Sequence, residues 1–137
     1  MSIKDVARQI VEFYDRLSNW EHEVVRDSDL TPGQMHAIEI IGHDKSLRMK
    51  ELAEKLGVTT GTLTVTVDRL ERKGLIERQP HETDRRSYRV VLTKTGQEHF
   101  TRHHQFHLEL TEELVATLSA DELAAFQATL KKIVSQF

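Results

Sequence analysis

The chain has 137 residues, a formal net charge of -3, a pI near 6.2 and no cysteine. A faintly acidic whole excludes a uniformly basic nucleic-acid binder, so any face for a polyanion has to come from local clustering of arginine. The missing cysteines exclude disulfide staples, thiolate zinc sites and thiol redox sensing. No apolar run is long enough to span a bilayer, and the expectation is a soluble cytoplasmic protein with no membrane partner.

In chain order, the first predicted element is a helix from Ile3 to about Arg26, where Ile3, Val6, Ala7, Ile10, Phe13, Tyr14, Leu17, Trp20 and Val24 recur at helical spacing. It is longer than a small core needs, and such a helix wants a partner. Asp27 to Asp29 breaks it. Thr31, Pro32 and Gln34 then supply an N-cap, an N1 proline and a capping-box partner for a second helix, Pro32 to about His43. Leu47 reads as a short extended connector. Met49 to Leu56 is a third helix with Met49, Leu52, Ala53 and Leu56 inward, closed by Gly57.

Thr59 and Thr60 can cap the next helix, which runs to Lys73, where Gly74 stops it. Ile76 to Gln79 and Tyr88 to Leu92 are β-branched or aromatic runs around a polar loop, Pro80 to Asp84, and predict a hairpin. Two short helices meeting at a glycine turn, the second followed by a hairpin, make a winged helix-turn-helix. Beyond it Thr93 can cap a long helix to about Thr117, and Ser119 with Glu122 forms a second capping box for Ala120 to about Val134. Leu123, Phe126, Leu130, Ile133 and Phe137 are the apolar stripe of that last helix. The fold class is therefore mainly α with a small β wing. Its expected organisation is an N-terminal dimerisation helix (1–30), the winged domain (31–93) and C-terminal dimerisation helices (94–137), intertwined in a homodimer.

In the helix after Thr59, Leu63, Val67 and Leu70 point inward at i, i+4 and i+7. Thr59, Thr60, Gly61, Thr62, Thr64, Val65, Arg69 and Arg72 are left as candidates for double-stranded DNA. Threonine hydroxyls and methyls suit phosphates, base edges and the thymine methyl, and Gly61 permits close backbone approach. The first turns carry no Arg, Asn or Gln, so bidentate guanine readout is not indicated there. The bland alternative is a β-branched helix chosen for packing. At the wing, Arg85 and Arg86 can reach phosphates or a narrow minor groove, with Asp84 orienting Arg86; the alternative is a solvated turn fixed by Asp84.

A second constellation is histidine. His99, His103 and His107 repeat at i, i+4 on the face that carries Phe106, Leu110 and Leu114. A pair at this spacing can bind one metal, and His36 with Glu23 can complete a four-ligand site, with zinc the candidate ion and no cofactor obligatory. Alternatively the histidines hydrogen-bond to Glu21, Glu23 or Glu39, or line an effector cavity among Trp20, His36, Ile40, Phe100 and His103. No nucleophile elbow, phosphate-binding glycine loop or HExxH is present, and the chain does not read as an enzyme.

The stretches ELAEKLGVTTGTLTVTVDRLERKGLIER and DRRSYRVVLTKTG, flanked by long helices, closely resemble the MarR family of bacterial and archaeal transcription regulators. The resemblance implies a triangular homodimer whose winged lobes read a pseudo-palindrome, with a ligand near the junction changing their spacing. Within the family, MHAIEIIG, LERKGLIER and the His103 to His107 run are similar to repressors of fatty-acid synthesis genes that take acyl-carrier-protein thioesters as corepressor. The histidines also resemble one ligand set of zinc-sensing members, whose other site uses a cysteine absent here. The rival from another class is a metal- or acyl-binding interaction protein that uses the winged fold to hold a partner other than DNA.

Overall fold

A computed structural model describes residues 1–81, 83 and 87–137, which fall into two compact units, Met1–His104 and Gln105–Phe137. In the first unit, helix α1 (Ile3–Val25) starts on Ser2, whose hydroxyl accepts from the Asp5 amide, and runs into one 3-10 turn, Arg26–Ser28. Asp29, at φ 61°, ends that turn in the left-handed region, which aspartate tolerates better than most residues. Helix α2 (Pro32–Asp44) opens with the full capping box, Thr31 Oγ1 taking the Gln34 amide and Gln34 Oε1 taking the Thr31 amide, both at 3.1 Å. Such a box satisfies two amides that the first helical turn leaves open.

The expected connector at Leu47 is a strand. Ser46–Arg48 forms β1, antiparallel to β3 (Tyr88–Leu92), which also pairs with β2 (Ile76–Pro80) in the order β1-β3-β2. A three-residue run has no readable alternation; it becomes a strand because β3 offers an open edge. Helices α3 (Met49–Leu56) and α4 (Thr60–Arg72) complete the helix-turn-helix. They close with α2 and the sheet over a core that includes Ile38, Ile41, Leu52, Leu63, Val67, Leu70, Ile76 and Val90, each no more than 2% exposed. Burial of that order removes each large side chain from water, about 1.5–3 kcal/mol apiece.

Gly74 turns the chain out of α4 at φ 74°, a conformation that costs glycine nothing. The exit from the ribbon folds back on that turn. Thr93 donates its amide to Leu75 O at 3.0 Å and its hydroxyl to Gly74 O at 2.6 Å, then accepts the Gly96 amide at 3.0 Å as the cap of α5 (Lys94–Val115). A Cβ on Gly96 would stand 1.9 Å from Leu75 O, so only glycine fits where this helix begins.

The second unit holds the rest of α5 and helix α6 (Ala120–Val134), joined by a short turn and capped by the Ser119–Glu122 box. No residue of α6 is buried.

Candidate nucleic-acid interface

Helix α4 has two unlike sides. Leu63, Val67 and Leu70 are fully buried, while Thr59, Thr60, Gly61, Thr62, Thr64, Val65, Arg69 and Arg72 are all exposed. Thr59 caps the helix by accepting the Thr62 amide at 3.1 Å and donates its hydroxyl to Thr62 Oγ1 at 3.1 Å. Thr64 donates to Thr60 O at 2.8 Å and Thr66 to Thr62 O at 3.2 Å. With those hydrogens used inside the helix, what Thr59, Thr64 and Thr66 turn outward is an oxygen lone pair and a methyl group. That chemistry suits base-edge donors and the thymine methyl better than phosphate oxygens.

The sequence reading missed what joins α4 to the ribbon. Arg78 on β2 donates to Glu71 Oε1 at 2.9 Å and to Asp68, and its amide donates to Glu71 Oε2 at 3.0 Å. Asp68 and Glu71 lie three residues apart, on one side of the helix, so a single guanidinium spans both. The signal was there: paired carboxylates in the last turns of α4 and an arginine on the strand that returns beside them. Asp84, Arg85 and Arg86 lie outside the described residues. Below the loop, the His81 amide donates to Ser87 O at 3.1 Å and closes the ribbon.

The histidine cluster forms with two of the carboxylates that the alternative reading named, Glu21 and Glu39. His103 is 2% exposed, and its Nε2 lies 2.6 Å from Glu21 Oε1 and 3.0 Å from Glu39 Oε1. Burial works to lower its pKa, but the hydrogen bonds and charges of the two carboxylates prevail and raise it from 6.5 to about 9. His103 is thus an imidazolium at neutral pH, clamped between α1 and α2. Of the expected set His36, His103, His107 and Glu23, both Glu23 and His36 are exposed, and neither is among the ligand atoms that gather at His103. Two residues along a helix turn a side chain by about 200°, so Glu21 facing His103 turns Glu23 away. His107 follows one turn later on α5 and belongs to the second unit. Glu21, Glu39 and His103 do bring ligand atoms within 4.8 Å of one another, so they fit a cation that displaces the proton of His103.

The residues expected to line an effector cavity make separate contacts. Trp20 lies 6.5 Å from His103 between ring centroids. Phe100 instead sits edge-on to His43 at 5.1 Å and stacks on His104 at 5.8 Å. It presses against Gly42, where a Cβ would come within 2.2 Å of the ring. Ile40 is half-buried beside the core.

Known proteins are similar to this chain over most of its length. A family profile described as the MarR family matches residues 30–88. The multiple antibiotic resistance protein MarR of Escherichia coli (strain K12) is 36% identical over 121 residues, 88% of this chain and 82% of that protein. Among solved structures, Streptococcus pneumoniae FabT in complex with DNA superposes with a TM-score of 0.88 at 28% identity, covering 98% of this chain and 96% of that one. A mutant E. coli MarR complexed with operator DNA gives 0.74 at 32% identity, over 94% of this chain and 93% of the other. With a buried helix-turn-helix core, a two-faced α4 braced by its ribbon and this extent of likeness, the chain belongs to the MarR family of transcriptional regulators, not to a family of enzymes.

Proposed function

We propose that the protein is a ligand-responsive repressor that works in the cytoplasm as a homodimer, each copy setting α4 into the major groove of one half of a pseudo-palindromic operator. The observation that carries this reading is the division of α4: its inward residues are wholly buried, while every candidate contact from Thr59 to Arg72 is exposed. In this reading Thr59, Thr60, Thr62, Thr64 and Val65 meet base edges, Gly61 admits the backbone, and Arg69 and Arg72 meet phosphates. Arg85 and Arg86 of the wing flank the duplex, Asp84 orienting Arg86. The likeness to DNA-bound FabT and operator-bound MarR supports it. The homodimer is supported by apolar stripes on α1 and α6 that one chain leaves uncovered.

The effector of this reading is an acyl thioester that enters among Trp20, His36, Ile40, Phe100 and His103 and connects the protein to lipid metabolism. A second reading takes zinc as the effector, with Glu21, Glu39 and His103 the residues that would hold it. One assay addresses all three statements: binding to a duplex from the gene's own upstream region over a range of salt. Wild type should bind with a steep salt dependence, and Arg85→Ala or Arg86→Ala should lower the log–log slope by about 0.9 per lost phosphate contact. Unchanged affinity and slope in both variants remove the wing from the mechanism. Long-chain acyl thioester or zinc added to the same mixture should change operator affinity; whichever leaves it unchanged is not the effector.

A further inference from the structure

Arg48 stands where this fold has reason not to put an arginine. It is the N-cap of α3, with φ -72° and ψ 151°, and its side chain makes no capping hydrogen bond. The other helices start on hydroxyl residues, Ser2, Thr31, Thr59, Thr93 and Ser119, each of which accepts an amide of the first turn. Arginine has donors only, so it cannot serve those amides, and it adds positive charge to the positive end of the helix dipole. Only its backbone takes part, donating to Glu51 Oε1 at 3.1 Å. In the sheet Arg48 also lies directly opposite Arg89, with Gln79 next in the row; like charges so placed weaken strand pairing. Two local rules broken at one residue point to a task outside the local structure.

That task is visible at the other end of the side chain. Nη2 of Arg48 lies 2.8 Å from Nε2 of His81, the residue that follows β2. A guanidinium can only donate, so Nε2 accepts. Nδ1 lies 3.2 Å from Thr83 Oγ1 and 3.3 Å from the Thr83 amide, so the same ring also reaches Thr83. His81 also closes the ribbon through its amide to Ser87 O. One imidazole therefore connects the start of α3 to the foot of the wing.

We propose that Arg48 is a positioning residue for DNA binding: held on the entrance to α3, it fixes the foot of the wing through His81, and with it the approach of the ribbon to the duplex. This rests on the reading of α4 and the wing as the DNA-binding surface. The test pairs duplex binding with thermal unfolding of the full chain. Arg48→Ser supplies the missing hydroxyl cap, so Tm should be equal or higher, while affinity falls about tenfold through loss of a charge-assisted hydrogen bond. His81→Ala should lose about as much, and the double variant no more than either single one, because both remove the same coupling. His81→Gln, whose amide oxygen accepts in place of Nε2, should keep most of the affinity.

Wild-type binding in Arg48→Ser overturns the proposal. So do losses that multiply in the double variant with the salt slope lowered by about 0.9, since Arg48 would then be an independent phosphate contact. A fall in Tm that accounts for the lost affinity also overturns it, and assigns Arg48 to the fold alone. If wild type itself shows no salt-sensitive binding to the duplex, the DNA-binding reading fails, and the proposal with it.

Discussion

The winged lobe and the terminal helices treat their apolar residues in opposite ways. Within the lobe, Ile38, Leu63 and Leu70 are 0% exposed, covered by α2, α3, α4 and the ribbon. On α6, Phe126 and Leu130 are each 43% exposed and Ile133 49%, and on α1 Ile10, Phe13 and Tyr14 stand at 51–67%. One region completes its core from its own chain; the other carries stripes of the same spacing with nothing of its own to cover them. Contiguous apolar surface of this kind marks an association site, so the two proposed roles, reading DNA and pairing with a second copy, fall on different parts of one short polypeptide.

The largest expected effect lies inside the lobe. Leu63→Ala should cost about 2–5 kcal/mol of unfolding free energy, measured by chemical denaturation, because the side chain is enclosed on all sides. A cost under about 1 kcal/mol would mean that the lobe is not the self-sufficient half of the comparison. Next comes the uncovered stripe: Leu130→Asp should raise the dimer dissociation constant more than tenfold, about 1.4 kcal/mol, in sedimentation equilibrium, with helical content near that of wild type. Loss of helix without dissociation would move α6 to the other side of the comparison.

The smallest and most graded effect is at the clamp where α1 and α2 meet α5. His103 has a folded value raised from 6.5 to about 9. Its contribution to stability is therefore complete below about pH 6.5 and is lost as pH rises through about 9. Thermal melts across that window should show a decline in wild type that His103→Gln flattens; parallel profiles would show that the clamp does not hold the arm to the lobe through charge.

Much of this was legible in the residues. The Thr31–Gln34 and Ser119–Glu122 boxes, Gly57, Gly74 and the span of β3 lie where local chemistry sets them, because caps and glycine stops depend on neighbours three or four residues away. The inward set of α4 followed from period alone. Periodicity gives the face of a helix but not what it meets. It could show that His103 turns inward, yet the choice of Glu21 and Glu39 over Glu23 and His36 depends on how three helices pack. Arg78 bridging Asp68 and Glu71 left a signal in the residues, but the contact between Arg48 and His81 was hidden for the same reason. It joins residues 33 positions apart, which no local pattern relates.

The knot of Thr93, Gly96, Gly74 and Leu75 leaves no slack where the reading head meets the shaft of α5. Gly96 rides directly on the Leu75 carbonyl, and the Thr93 hydroxyl ties the same turn to the start of α5. Interiors packed this tightly pass strain on and do not dissipate it. A bulkier residue at position 96 would have to push the start of α5 off the turn that closes α4.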